Sequence, residues 1–96
     1  MLAQDMPGGA TIARRKNRKA LLTLLREVRT EADLTQVEMA RSLGVPQSFV
    51  SKYESGERRL DLLELQQVCQ ALGITLEAFV KRFEKTANRM KDSEIS

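Results

Sequence analysis

At 96 residues the chain fits a single domain, with room for one small hydrophobic core and only modest stability. Sixteen Lys and Arg face thirteen Asp and Glu, a formal charge of +3 that does not by itself establish a nucleic-acid partner. One cysteine and no histidine exclude an intrachain disulfide, a cysteine metal cluster, histidine zinc sites and the Cys–His and Ser–His–Asp arrangements of nucleophilic catalysis. No apolar run of about eighteen residues is present to span a membrane, and the N-terminus lacks the apolar core of a signal peptide. The expectation is therefore a cytoplasmic protein with a reduced thiol, no cofactor, no metal and no membrane partner.

Residues 1–16 read as a flexible basic N-terminal arm, opened by Pro7-Gly8-Gly9 and small or polar residues. The dense basic run Arg14-Arg15-Lys16-Asn17-Arg18-Lys19 has two readings. It is either an arm or helix start that lies along phosphates or enters a minor groove, or a solubilising lead-in to the first helix. That helix is predicted over 17–32. Leu21, Leu25 and Val28 follow the helical period, and Leu22 and Leu24 widen the stripe. Asp33 follows that helix, and aspartate tolerates left-handed dihedrals better than most residues.

The stretch from Leu34 to Gly56 reads as two short helices joined by a tight turn. Thr35 can accept an unpaired N–H of the first one, Met39, Ala40 and Leu43 form its apolar face, and Gly44 stops it. Val45 supplies one apolar contact in the turn, and the fixed φ of Pro46 suits a new helix start. The second helix runs from about Gln47 to Ser55 and is ended by Gly56. At 100° per residue, Gln47, Ser48, Ser51, Lys52 and Ser55 fall on one polar arc. Val50 and Tyr53 lie opposite, with Phe49 and Glu54 at the boundaries. Uncharged hydrogen-bonding groups with one lysine, and short side chains beside Gln47, suit close approach to base edges. A plain solvated helix face is the alternative.

After the loop Glu57-Arg58-Arg59-Leu60, Asp61 and Glu64 form a capping-box pattern. Leu62, Leu65, Val68, Cys69 and Leu72 form a buried stripe, with Cys69 read as core packing, since reactive thiols need exposure and positive surroundings. Gly73 ends that helix. Thr75 caps the last one, whose apolar face is Leu76, Phe79, Val80 and Phe83. Either part of this face pairs with a second copy of the chain, or the helix closes the core of a monomer. The domain is thus expected over 17–85, with 86–96 a polar C-terminal tail.

Thr35-Gln36, Met39-Ala40, Gly44-Val45, the Gln47–Glu54 run and Glu54-x-Gly56 together resemble the helix-turn-helix of the phage-repressor-type, Xre/Cro-like family, over about Leu21 to Leu76. The resemblance implies an all-α bundle of five helices of lambda-repressor-like type that binds double-stranded operator DNA, usually as a homodimer. It also implies that Arg29 pairs with Glu54, and that Gln36 faces the DNA backbone and braces Gln47. The alternative for Gln36 is a helix-start residue with no partner; for Arg29 and Glu54, two solvated charges.

The expected contacts follow. Gln47 is the leading base reader, because a glutamine amide matches adenine N6 and N7 in the major groove. Ser48 and Ser51 are adaptable neighbours, and Lys52 reaches guanine or a phosphate. Phe49 touches a thymine methyl or, the reading favoured here, packs at the core rim. Gln36, Ser55, Arg58 and Arg59 are expected on the backbone, where contacts set register and affinity rather than sequence preference. The function read from this is a sequence-specific transcriptional regulator, a repressor acting on a near-palindromic operator. One alternative is an antitoxin-like or accessory regulator whose main partner is another protein, held by the last helix or tail. An enzyme is the third reading, and no motif spaces a nucleophile against a base.

Overall fold

A computed structural model describes residues 8–89, with side chains from Arg14 onward. These residues form five helices: α1 (Gly8–Glu31), α2 (Gln36–Leu43), α3 (Gln47–Ser55), α4 (Leu62–Leu72) and α5 (Leu76–Arg89). The all-α bundle expected from the sequence is what the chain forms. Helices α1 and α5 pack together, α1 also lies against α3, and α2 bridges α3 and α4.

One core residue set draws on every helix. Leu24, Leu25 and Val28 come from α1, Met39 and Ala40 from α2, Val50 and Tyr53 from α3, Val68 and Cys69 from α4, and Phe79 from α5. Burial pushes the Cys69 thiol up from its ordinary value, which leaves it a small packing group.

Two boundaries differ from the sequence reading. Helix α1 begins at Gly8 rather than Asn17, so residues 8–16 are helical and not a flexible arm. No proline interrupts residues 8–16, and the alanine, arginine and lysine that outweigh Gly9 there are among the better helix formers. The like charges were a weaker signal than this propensity. At the other end, α5 runs to Arg89 and Thr86 is buried, so residues 86–89 belong to the bundle and not to a tail. The remaining parts of the expected arm and tail, residues 1–7 and 90–96, lie outside the described residues. Leu62 also departs from expectation: at the first position of α4 it is 65% exposed, and Leu63 is 70% exposed.

The helix ends are chemically specified. Thr35 accepts from the Glu38 N–H at 3.0 Å while the Thr35 N–H donates to Glu38 at 2.9 Å. Asp61 and Glu64 form the same reciprocal box at 2.8 and 2.9 Å. Asp33 takes φ 60°, and the Leu34 N–H then reaches the Arg29 carbonyl at 3.2 Å, closing α1 in the Schellman manner. Arg82 on α5 donates to Glu31 on α1 at 2.8 and 2.9 Å. These bonds hold the Glu31 carboxyl below its ordinary value.

Two features favour glycine at position 56. Its φ is +90°, and a Cβ there would stand 3.0 Å from the Leu22 side chain. Gly56→Ala is therefore expected to destabilise the fold by roughly 1–3 kcal/mol from backbone strain, read by urea unfolding. Gly44→Ala, with nothing near its Cβ position, tests strain without the tight contact and should lose less.

Tyr53 on α3 is 2% exposed. Burial, reinforced by the nearby Glu54 charge, raises its phenol well above the ordinary value of 10.0, against a smaller lowering by Arg29. A raised folded value means the stability it carries is complete below pH about 10 and is lost as pH rises towards the folded value. The melting temperature should accordingly fall above pH about 10, and Tyr53→Phe should make that fall shallower. An unchanged alkaline slope in the variant would assign the loss to other groups.

A candidate nucleic-acid interface

Helix α3 divides along its length. Val50, Tyr53 and Glu54 are buried. Gln47, Ser48, Lys52 and Ser55 are exposed and Ser51 is half-buried, so the polar arc deduced from periodicity faces outward. Turn geometry sets the helix against α2. Gly44 closes α2 with φ 71°, and Pro46 opens α3 at φ −65°.

Behind this face runs a chain of polar side chains. Arg29 on α1 donates to Glu54 through Nε at 2.6 Å and Nη2 at 3.0 Å. Its Nη1 donates to the Leu34 carbonyl at 2.8 Å, tying the α1–α2 turn to the same guanidinium. The Glu54 side chain is 1% exposed. Bonding to Glu54 raises the Arg29 guanidinium from its ordinary value. Gln36 Nε2 donates to Glu54 Oε1 at 3.1 Å, and Gln47 Nε2 donates to Gln36 Oε1 at 3.3 Å.

The direction of that chain follows from chemistry. A carboxylate only accepts, so Gln36 must turn its NH2 group to Glu54 and its carbonyl outward. Gln47 must then offer an N–H to Gln36. What remains at the surface is the Gln47 carbonyl oxygen and one N–H. This pair complements adenine, which presents N6–H2 and N7. It cannot donate to both N7 and O6 of guanine. The family resemblance implies a brace between Gln36 and Gln47 but not the role of Glu54 in setting its polarity.

The neighbouring hydroxyls are engaged locally. Ser51 Oγ donates to the Ser48 carbonyl at 3.3 Å, and Ser55 Oγ donates to the Lys52 carbonyl at 3.1 Å. Arg58 makes two bonds to Glu64 at 3.1 and 2.8 Å and stacks over the Phe49 ring at 4.3 Å. Phe49 in turn meets Tyr53 edge-on at 5.8 Å. Arg58 is therefore occupied within the fold, and Phe49 packs at the core rim. Arg59 is exposed and makes no ion pair among the described residues.

The apolar face assigned to the last helix is mostly spent inside the bundle. Phe79 is 1% exposed, which removes it from any contact between copies. Leu76 and Phe83 pack against the core, and of the four only Val80 is exposed. The packing of α5 on α1 and α4 consumes this face. Periodicity gives a helix face but not its occupant.

The helix-turn-helix family model matches residues 25–79, more than half of the chain. Among solved structures, an XRE-family-like protein from Pseudomonas syringae pv. tomato superposes with a TM-score of 0.71 and 44% identity, over 80% of this chain and 93% of that one. The clp gene regulator ClgR from C. glutamicum superposes with a TM-score of 0.66 and 27% identity, over 74% and 91%. In sequence, the chain is 32% identical over 62 residues to the control protein C.MunI of a Mycoplasma species, covering 64% of this chain and 84% of that protein. It is 28% identical over 72 residues to the antitoxin PezA of Streptococcus pneumoniae, covering 75% of this chain but only 45% of the antitoxin. With its five helices, its Gly44-centred turn and its outward polar α3, the chain belongs to the Xre-like helix-turn-helix family of DNA-binding transcription regulators.

Proposed function

We propose that the protein is a cytoplasmic, nucleoid-associated repressor. It binds a near-palindromic operator as a homodimer, each copy laying α3 into the major groove of one half-site. Half-sites roughly 34 Å apart place the two recognition helices on the same face of the duplex. The observation that carries this reading is the outward Gln47 amide, oriented from behind by Glu54 through Gln36. Gln47 reads an adenine, with Ser48, Ser51 and Lys52 completing the base-facing surface. Gln36 retains one N–H for a phosphate, and Ser55 and Arg59 flank it along the backbone. Arg58 joins them only by exchanging Glu64 for a phosphate, so Arg59 makes the first contact.

A second reading is supported by the likeness to an antitoxin. There the main partner is another protein, held by α5 or the chain beyond it, and DNA binding serves autoregulation. Selection of bound fragments from random duplex DNA at stated salt tests the first reading. A palindromic consensus with adenine at a fixed position is the expected outcome. Folded protein without preference among duplexes, even at low ionic strength, would overturn it. Purification of the protein with a non-identical small protein would favour the second.

A further inference from the structure

The basic run at 14–19, within the first half of α1, lies outside the residues matched by the family model, and helix geometry gives it a definite shape. Arg14 and Arg18 are one turn apart at i, i+4, and Arg15 and Arg18 at i, i+3, so all three share a side of the helix. Arg59 approaches from the loop after α3. Together with Asn17 these four arginines line an open cleft of about 460 Å³. Arg18 also donates to the carbonyl of Gly56 at the end of α3, which anchors the cleft to the recognition helix. Among the described residues, Arg14, Arg15, Arg18 and Arg59 form no ion pair, whereas Arg29, Arg58 and Arg82 each have a carboxylate within 2.8 Å. Like charges at these helix spacings oppose folding. Arg18 is held by the Gly56 carbonyl, but Arg14, Arg15 and Arg59 converge beside it with no carboxylate to offset their charge, and this calls for an external anion.

We infer that this cleft holds a backbone phosphate of the duplex flanking the half-site, beyond the C-terminal end of α3. The inference rests on the DNA-binding reading above and adds a contact outside the helix-turn-helix. The planar guanidinium forks suit phosphate oxygens, and Arg59 is contiguous with the expected backbone-contact loop. The position on a rigid helix, rather than an arm, argues for a flank phosphate over minor-groove insertion.

The test uses the full chain and the exposed pair Arg14→Gln/Arg15→Gln, checked by circular dichroism for unchanged helix content. Binding is measured against salt on the selected operator with long flanks and on the same operator trimmed at the half-site edges. The double variant should bind the long duplex about tenfold more weakly at physiological salt, with a slope shallower by about one to two. It should match the wild type on the trimmed duplex and keep the ranking among operator sequences. Equal binding of both proteins to the long duplex would overturn the inference, and so would an equal loss on both duplexes. In a separate arm, inorganic pyrophosphate is added during thermal melting. Selective stabilisation of the wild type, with no difference on DNA, would assign the cleft to a free phosphate ligand and overturn the flank contact. Wild type that selects no duplex sinks the DNA-binding reading itself, whereas wild type that selects one while the double variant equals it overturns the cleft alone.

Discussion

Arg29→Ala is expected to lower the unfolding free energy by roughly 3–5 kcal/mol, the cost of leaving a buried carboxylate without its partner. Glu54 has a side chain only 1% exposed, and Arg29 supplies two of the bonds that hold it. What remains after the substitution is Gln36 at 3.1 Å and Arg26 at 3.9 Å, whose side chain is 65% exposed. Arg26→Ala should cost less than about 1 kcal/mol, as solvated pairs do. For a domain of this size each kcal/mol shifts the melting temperature by about 4–8 °C, so Arg29→Ala should melt more than about 10 °C below Arg26→Ala. Equal melting temperatures would mean that Glu54 finds solvent without Arg29. The double change Arg29→Ala/Glu54→Leu should recover part of the loss, since it removes the unpaired charge. Arg29→Lys should not recover it, because a lysine cannot reproduce a three-nitrogen fork that serves both Glu54 and the Leu34 carbonyl.

Gln47→Ala should reduce discrimination at a single base pair by about 1–3 kcal/mol, or roughly 5- to 150-fold in relative affinity. Protein stability should be unaffected, because the side chain is exposed. Gln36→Ala separates reading from positioning. It leaves the Gln47 amide in place but removes the carbonyl that sets its direction. With both N–H groups released, Gln47 can donate to N7 and O6 of guanine as well as read adenine. The adenine-over-guanine ratio at that position should therefore fall, even where total affinity changes little. Competition binding with operators changed at one base pair measures both effects. If Gln36→Ala kept the full adenine preference, the amide would be oriented by something other than the chain from Glu54.

Several features of this fold are encoded within a few residues and could be read directly. Thr35 and Asp61 cap because their oxygens reach an N–H three residues on. Gly44 and Gly56 end their helices because positive φ costs glycine nothing, and Asp33 takes the same conformation at φ 60°. The outward polar arc of α3 follows from the helical period alone. The family resemblance pointed to Arg29 and Glu54, which lie 25 residues apart, a separation at which spacing carries no signal.

Other features depended on which surfaces meet. Residues 8–16 read as part of a flexible arm, yet they belong to α1, and that helix places Arg18 at the end of α3, 38 residues away. Phe79 looked available to a partner, yet α5 spends it on the core. Arg58 looked free for a phosphate, yet Glu64 and the Phe49 ring hold it. Caps, turns and periodicity are short-range properties of the chain, so the residues alone determined the five-helix frame and the polar face it presents. The polarity of the Gln47 amide, the occupant of each apolar face and the pairing of each arginine arise from contacts between helices. Those were settled only when packing excluded water and left each buried donor and acceptor to find its partner.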